Sequence, residues 1–215
     1  MALMKKLTPR MIKGATEGRI WDLGNETLYE LCRKHPGHAD DQAILAKVWL
    51  IGRAYAAAIE RRRRNSGEVF EGDKFYTDNV APRMRKSQID KWFLGLKGIR
   101  EPNEQNLGTI LSAHFKLTNL FEEISGLEKR SLASKYFHFH FPHLFFIYDT
   151  RAVVALQGIS SGIARGTYAD TETDNEYRKF YEKCLRACGL IEEKYGQKLT
   201  PRQLDNLLLD VSVMR

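Results

Sequence analysis

The sequence lacks long apolar segments and is poor in cysteine. None of its hydrophobic runs approaches the ~20 residues that a membrane-spanning helix needs, so we expect no membrane span. The first residues, MALMKKLTPRMIKG, also lack the apolar stretch of a signal peptide, which predicts a cytoplasmic protein. The three cysteines, Cys32, Cys184 and Cys188, are too few and too scattered for a disulfide framework, and we interpret them as core thiols.

Metal-binding and nucleotide-binding motifs are missing too. The sequence has no GxxxxGK(S/T) loop and no GxGxxG string, the usual signatures of proteins that bind ATP or dinucleotides. His138, His140 and His143 are spaced by two and three residues, which fits no common zinc pattern, and no cysteine or acidic residue completes the set. We therefore predict neither a metal nor a cofactor.

Alternation with a period of two residues, which is typical of β-strands, is nearly absent, whereas apolar residues recur at threes and fours. Only residues 137–141, FHFHF, alternate cleanly, and their flanks favour a helix over a strand. The chain is therefore predicted to be all-α, with about eight helices in a single domain over residues 1–215. Two lobes of this domain are expected to meet near residues 100–125.

Capping and breaking residues predict where the helices begin and end. Residues 1–24 are expected to form an arm of weak periodicity, and Asn25 is predicted to be the N-cap of the first clear helix. A long helix is predicted over residues 40–64, a loop over 65–82 and one continuous helix over 84–98. A helix is also predicted over about 174–195, and the capping box at residues 200–203 predicts a last helix to about Val211.

The net charge of +7 favours a polyanionic partner. The run Arg61–Arg64 could contact phosphates, and its alternative is a solvated helix end. A second basic cluster over residues 83–91 stands beside Trp92 and Phe93, and basic residues next to aromatic ones suit contacts to unpaired bases. The alternative for the two aromatic residues is packing in the core.

Residues 131–149, SLASKYFHFHFPHLFFIYD, place a lysine in an aromatic-rich helix. The polar arc that contains Lys135 on a helical wheel also contains Ser131, Ser134 and His138. An amine in partly apolar surroundings loses part of its preference for the charged form, which is what an amine nucleophile requires. Lys135 is therefore expected to project from an aromatic-flanked strip either into a cleft, where it could act as a nucleophile, or into solvent, as a surface lysine whose methylene chain covers apolar neighbours.

Asp149 follows the aromatic segment and precedes a new helical stretch, Thr150–Val154. An aspartate at this position is typical of an N-cap, which accepts hydrogen bonds from the first free amides of the helix. Since a capping carboxylate is held rigidly, the same side chain could also face a substrate. The sequence leaves both roles open.

The segment Glu123–Val153 resembles the hairpin region of the helix–hairpin–helix DNA glycosylase superfamily. The string SLASKYFHFHFPHLFFIYDTRA carries most of this resemblance, and residues 47–62 and 202–211 also fit it. The chain is most similar to a divergent bacterial branch that has the 8-oxoguanine DNA glycosylase fold. An all-α, helix–hairpin–helix architecture is therefore expected, with the hairpin region over residues 123–153.

This resemblance implies that the hairpin docks on double-stranded DNA, that a modified base is flipped into a pocket and that its N-glycosidic bond is cleaved. Asp149 and Lys135 are then the catalytic residues, because a carboxylate stabilises the sugar cation and an amine can form a Schiff base that leads to strand cleavage. The residues implied at the DNA are Gly126, Lys129, Arg130, Ser131 and Arg151. The residues implied at the flipped base are Ser134, His138 and Phe139.

The sequence departs from the family pattern at two points. The hairpin contains one glycine, Gly126, where the family usually has two, and the slot of the usual lysine falls on Arg130 or Ser131. Lys135, one helical turn further on, could replace that lysine or only line the base pocket. A third reading keeps Asp149 for monofunctional chemistry without a lysine.

Two further readings involve no catalysis. The glycosylase fold could bind nucleic acid or nucleotides without excising a base, for example in an accessory protein of bacterial antiphage defence that acts with a protein partner. The other reading is a purely structural interaction protein, which would show no salt-dependent affinity for DNA.

Overall fold

The computed structural model describes residues 2–61, 73–159 and 172–213. The described residues form helices and connecting segments without any strand, which confirms the all-α prediction. The helices are α1 (Ala2–Lys6), α2 (Pro9–Thr16), α3 (Asp22–Lys34), α4 (Asp41–Ala54), α5 (Ala81–Lys86), α6 (Ile89–Leu96), α7 (Leu107–Ser125), α8 (Arg130–His140), α9 (Thr150–Ala155), α10 (Asn175–Tyr195) and α11 (Pro201–Val213), and a π-helical segment (Phe75–Val80) precedes α5. Short helices bring the number above the predicted eight.

The N-terminal arm is more ordered than predicted. The Thr8 hydroxyl accepts a hydrogen bond from the Met11 amide, and Pro9 occupies the first turn, so a capped helix begins there. The prediction that Asn25 is an N-cap was wrong, because α3 already begins at Asp22 and Asn25 lies inside it. The Asn25 side chain instead accepts a hydrogen bond from the Tyr55 hydroxyl, a contact between helices that local sequence does not encode.

The helix predicted over residues 40–64 is shorter in the structure. It ends at Ala54, and Ala56 adopts a left-handed backbone conformation with φ 51° that breaks the helical path. Gly52 permits this reversal, since a Cβ atom there would lie 3.0 Å from Ala58 Cα. Residues 62–64 of the arginine run lie outside the described part of the chain.

The segment after this gap was also mispredicted in part. Residues 75–80 are π-helical where a loop was expected over 65–82, and residues 65–72 of that predicted loop lie outside the described residues. The single helix expected over 84–98 is split at Ser87, whose hydroxyl donates to the Met84 carbonyl and accepts from the Ile89 amide. A serine that satisfies both helix ends in this way favours a break between α5 and α6.

Helix α8 runs through the centre of the core. The FHFHF segment lies within α8 and its C-cap, so the helix was correctly preferred over the strand. The alternation of aromatic residues and histidines does not mark a buried and an exposed face here, because Phe137, His138 and Phe139 are all buried. The buried residues of α8 are Leu132, Ala133, Ser134, Lys135, Tyr136, Phe137, His138 and Phe139.

A tight connection joins α7 to α8 and forms the hairpin. Gly126 ends α7 in a left-handed conformation with φ 72°, and its amide donates to the Glu122 carbonyl. Three further residues lead to Arg130, the first residue of α8. No described helix is both long and apolar enough to cross a membrane.

Candidate functional site

Lys135 lies inside the protein, with 2% of its surface exposed. This burial excludes the alternative of a surface lysine. The Nζ atom donates a hydrogen bond to Ser131 Oγ at 2.6 Å, and it lies over the ring of Tyr55 at 5.9 Å from the centroid. Within the described residues, Ser131 is the one hydrogen-bond partner of this ammonium group.

The two serines of α8 fix the position of the segment that leads to Asp149. Ser131 Oγ donates to the Tyr148 carbonyl at 3.1 Å, and the Tyr148 amide donates to Ser134 Oγ at 2.9 Å. Ser134 Oγ also donates to the Ser131 carbonyl. Since Tyr148 immediately precedes Asp149, these bonds hold the aspartate at a fixed place relative to α8.

Asp149 is the N-cap of α9, as predicted from the sequence. One carboxylate oxygen accepts from the Arg151 amide at 2.9 Å and from the Arg151 guanidinium at 3.3 Å. The Asp149 side chain remains 27% exposed, so a capping carboxylate can still meet a ligand. The two roles that the sequence left open for Asp149 are thus compatible in the structure.

Helix α11 contributes two charged residues that the sequence prediction missed. Asp205 is 5% exposed, and Arg202 Nη1 donates to its Oδ2 atom at 3.3 Å. Arg202 Cζ lies 5.5 Å from the centroid of the Tyr55 ring, the same ring that Lys135 approaches. The signal for these residues is an acid within the apolar face of an amphipathic helix, between Leu204 and Leu208.

A chain of hydrogen bonds links α11 to α8 through α3. Arg202 Nε donates to the Tyr29 hydroxyl at 3.2 Å, which donates to His138 Nε2 at 2.7 Å. His138 Nδ1 carries the proton and donates to the Phe145 carbonyl at 2.8 Å. Burial lowers the pKa of His138 to about 3, so the ring is neutral at physiological pH, as this bonding pattern requires.

Burial perturbs both the amine and the carboxyl group at the centre of the site. It lowers the pKa of Lys135, and the carboxylates of Asp149 and Asp205 oppose this effect. Burial raises the pKa of Asp205 to about 6, while Arg202 and Lys135 act to lower it. An amine with a lowered pKa, beside two acidic groups, has the electrostatic properties of a nucleophile or a proton carrier.

A cavity of about 420 Å³ lies between the end of α4 and the hairpin. This volume is within the range of small-molecule pockets, about 300–1,000 Å³. Ser131 lines the cavity and also binds the Lys135 ammonium, so this serine connects the cavity with the amine. The lining residues are Ala56, Ala57, Ala58, Arg61, Glu128, Lys129, Ser131 and Leu132.

The residues predicted to contact DNA differ in their surroundings. Lys129 donates to the Arg61 carbonyl at the cavity, and Arg151 is 61% exposed beside Asp149. Arg130 instead forms ion pairs with Asp174 at 2.5 Å and Glu128 at 2.8 Å, which neutralise its guanidinium group. Gly126 and Ser131 lie at the hairpin and at the cavity, respectively.

The residues predicted for the base pocket are packed in the core. Ser134 and His138 have no exposed surface, and Phe139 has 1%. Phe139 contacts the rings of Tyr29 and Tyr55 at 4.8 and 5.4 Å between centroids. These three residues are therefore enclosed in the core, where Phe139 also packs against Arg202. Their contact with a base stays a prediction.

The remaining sequence candidates have structural partners. Arg83 donates to the Glu123 carbonyl, and Arg85 pairs with Asp41. Phe93 is buried and Trp92 is partly buried in the core, which agrees with the alternative prediction that these two aromatic residues pack in the core. In residues 2–61, 73–159 and 172–213, no group of three or more His, Cys, Asp or Glu side chains is arranged to hold a metal ion. The three cysteines are free thiols.

The site thus brings together an enclosed amine, a capping carboxylate, a second buried acid and an arginine, and the serine that binds the amine also lines the cavity at the hairpin. Comparison of the chain with models of protein families, with curated proteins and with solved structures finds no match.

Proposed function

We propose that this protein is a DNA glycosylase-like enzyme that flips a modified base out of double-stranded DNA and cleaves its N-glycosidic bond. The observation that carries the proposal is the buried amine of Lys135, which has a lowered pKa and is held by Ser131 at the wall of the hairpin cavity. The proposal includes DNA as the partner and the cytoplasm as the compartment.

The chemistry assigns separate roles to Asp149 and Lys135. The bond between C1′ and the base breaks with its electron pair on the base, which then takes up a proton, and the sugar becomes cationic. The Asp149 carboxylate stabilises this cation. The neutral amine of Lys135 donates its electron pair to C1′ and forms the N–C1′ bond. The C1′–O4′ bond then breaks with its electron pair on O4′, one proton moves from the nitrogen to O4′, and the resulting protonated Schiff base permits strand cleavage.

The direction of the pKa shift supports this role of Lys135. An ordinary lysine is almost fully protonated near pH 7 and has no free electron pair to donate. Because burial lowers the pKa of Lys135, a larger fraction of its amine is neutral at that pH. The bond to Ser131 Oγ fixes the direction of the amine relative to the cavity.

Borohydride trapping tests the proposal. Duplex oligonucleotides that carry oxidised, deaminated or alkylated bases, or an abasic site, are incubated with the protein and reduced. We expect a covalent complex with at least one substrate, its loss in Lys135→Gln, and slower base release in Asp149→Asn. Lys116→Gln, at an exposed position of α7, is the matched control and should cross-link normally. A covalent complex that still forms in Lys135→Gln would refute the role of the lysine.

A second candidate function is a non-catalytic module that binds nucleic acid or nucleotides. The 2% exposure of Lys135 and its bond to Ser131 favour it, because an amine in such a position can serve the packing of α8 alone. This reading predicts DNA affinity that falls with salt and survives Asp149→Asn, with no base released from any of the oligonucleotides. The two candidates thus differ in a single measurement, the release of base.

A further inference from the structure

Positive charge is concentrated on α5, α6 and the connection that follows them. Residues 83–100 contain six lysines and arginines and one acidic residue, a net charge of +5 against +7 for the whole chain. We propose that this basic surface, formed by Lys86, Lys91, Lys97 and Arg100, binds the sugar-phosphate backbone of double-stranded DNA. The inference rests on the proposed function for its partner, and it assigns the main backbone contacts to this surface instead of the hairpin.

The cations of the basic surface are available to a ligand. All four are exposed, and among the residues that the structure describes none of the four forms an ion pair. The single acidic residue of the segment, Asp90, already has partners, because it accepts from the His38 amide at 3.2 Å and from His38 Nδ1 at 2.7 Å. The positive charge of the surface is therefore not neutralised within the fold.

The packing of α6 turns one side of the helix outwards. Lys91 lies opposite the apolar side on a helical wheel, and Gly95 one turn later adds no side chain there. A Cβ atom at Gly98, just after the helix, would meet nothing within 4 Å. Such a surface lets a phosphate backbone approach closely. The residues that hold the opposite side in the core are Ile89, Phe93 and Leu96.

The basic surface adjoins the candidate site at both ends. Arg83 Nη1 donates to the Glu123 carbonyl at 2.8 Å, near the end of α7 and just before the hairpin. At the other end, His143 Nε2 donates to the Ile99 carbonyl at 2.9 Å. Since His143 lies in the segment that leads to Asp149, a duplex on this surface passes close to the residues proposed for the chemistry.

The hairpin is a poorer place for a phosphate backbone. It has three exposed glutamates, Glu122, Glu123 and Glu128, against two cations, Lys129 and Arg130. Ion pairs already neutralise the Arg130 guanidinium group. Because the backbone of DNA is a dense row of negative charges, it favours the surface with an excess of cations.

A nucleic acid suits this surface better than a membrane. A helix that lies on a membrane inserts a broad apolar face, whereas the apolar side of α6 is used in the core. Between residues 83 and 100, all of which the structure describes, Leu94 is the one large apolar residue with most of its surface exposed, at 64%. An eight-residue helix is about 12 Å long, and the phosphates of one strand advance about 3.4 Å each along the duplex, so the cations face three or four phosphates.

The experiment measures the affinity for an undamaged fluorescent duplex by anisotropy at several salt concentrations. The fourfold variant Lys86→Gln/Lys91→Gln/Lys97→Gln/Arg100→Gln removes the charge of the basic surface. Each lost phosphate contact lowers the slope of log K against log salt by about 0.9, so we expect a fall of about 3–4 and at least a roughly tenfold loss of affinity.

A matched control separates this surface from the overall charge. Arg10→Gln/Lys13→Gln/Lys179→Gln/Lys183→Gln removes the same number of charges from α2 and α10 and should keep the slope of the parent protein. The single variant Lys91→Gln, with an expected fall of about 0.9, keeps the test valid if the fourfold variant does not fold.

Several results would overturn the proposal. Equal losses in the two fourfold variants would show that only net charge matters, and an unchanged slope in the first would show that the surface takes no part. A parent protein that fails to bind the duplex at low salt has the same meaning. Stronger binding to vesicles that contain phosphatidylserine than to the duplex would assign the surface to a membrane.

Duplex binding and base release can fail separately. A slope that falls only in the variant of the basic surface, with no base released from any damaged oligonucleotide, supports the surface and refutes the proposed enzyme. Base release by a protein whose duplex affinity is the same in that variant supports the enzyme and overturns the surface.

Discussion

Two of the lysines in the described part of the chain are buried, and their ammonium groups have different partners. Lys47 has no exposed surface, and its Nζ atom donates to the carbonyls of His35 and Gly37 at 2.8 Å each. These carbonyls lie at and beyond the end of α3, where helical acceptors are left without amide partners. Lys135 instead binds one hydroxyl, beside two carboxylates and an aromatic ring. These contacts indicate a stabilising role for Lys47, whereas the proposed chemical role belongs to Lys135.

Replacement of Lys47 by methionine should destabilise the fold. Lys47→Met keeps the length of the side chain but removes both hydrogen bonds to the end of α3, and we expect a loss of about 2 kcal/mol in the free energy of unfolding. Urea denaturation at pH 7 measures this loss. Lys116→Met, at an exposed position of α7, should change the stability by less than about 0.5 kcal/mol. Equal effects of both variants would show that the carbonyls of α3 do not need Lys47.

Local patterns predict a residue's own cap, but not the partners that tertiary packing supplies. Asp149 was predicted as an N-cap, and it is one, because capping depends on the next two or three residues alone. The helical wheel placed Lys135 correctly beside Ser131. It could not show that α11, some 70 residues later in the chain, brings Arg202 against the same aromatic ring, with Asp205 bound to that arginine.

At the scale of elements, the start of α10 is tied to the hairpin. Asp174 caps α10 by accepting from the amides of Glu176 and Tyr177, and its other oxygen accepts from Arg130 Nε at 2.5 Å. The Arg130 carbonyl in turn accepts from His114 Nε2 on α7. One aspartate therefore joins the first turns of α8 and α10.

Substitutions of Asp174 should separate the contribution of the N-cap to the free energy of unfolding from that of the ion pair with Arg130. Asp174→Ala loses both and should cost about 2–3 kcal/mol of unfolding free energy, whereas Asp174→Ser keeps a capping oxygen and should recover about 1 kcal/mol. Thermal and urea denaturation give both values. The control is Asp40→Ala, at the exposed N-cap of α4, which should cost only about 1 kcal/mol. A loss in Asp174→Ala no larger than in Asp40→Ala would mean that Arg130 contributes nothing.

The hairpin turn depends on the left-handed conformation of Gly126. An L-residue is strained at φ 72°, so Gly126→Ala should lower the free energy of unfolding by about 1–2 kcal/mol. Gly189 offers a matched control within α10, since a Cβ atom there meets nothing within 4 Å. Gly189→Ala should stabilise the protein by about 0.5–1 kcal/mol. Differential scanning calorimetry tests whether Gly126→Ala lowers the stability and Gly189→Ala raises it. Stabilisation by Gly126→Ala would contradict the prediction.

The helices that sequence predicted least well are those whose ends depend on contacts with other elements. Periodicity continues past Ala54, yet α4 stops there because Gly52 allows residues 57 and 58 to pack closely against it. By contrast, α10 and α11 were predicted within about two residues, since each has a local cap, Asp174 and Thr200 respectively.

At the scale of the whole molecule, the core encloses histidines in the neutral form. His38 donates to Asp90 and accepts from the Tyr136 hydroxyl, both at 2.7 Å. Burial lowers the pKa of His38 to about 4, and of His114 and His138 to about 3. Composition could not distinguish these three from the exposed His35, because only the fold decides which rings lose contact with water.

These lowered pKa values predict that the protein loses stability in mild acid. An unfolded histidine takes up a proton as the pH falls below about 6.5, while His38, His114 and His138 stay neutral in the folded state until about pH 3–4. The unfolded state therefore binds more protons between these limits, and each such histidine removes up to about 1.4 kcal/mol of stability per pH unit. Asp205 acts in the opposite direction below about pH 6, because its pKa is raised in the folded state. One carboxyl group offsets only one of these histidines, and burial also lowers the pKa of His140 well below its usual value, which acts in the same direction as the other three.

Urea denaturation between pH 7.5 and pH 4.5 measures this effect as the slope of unfolding free energy against pH. We expect the slope to steepen below about pH 6.5, which is higher than the usual range of carboxyl groups. His114→Asn should flatten the slope by the contribution of one proton, provided that the variant folds, and the exposed His35→Asn should leave it unchanged. If stability stays constant down to pH 5 and falls only where carboxylates titrate, the three rings do not resist protonation in the folded protein. If the slope of unfolding free energy against pH is steep only in proteins that retain His38, His114 and His138, the loss of stability in acid comes from these neutral histidines.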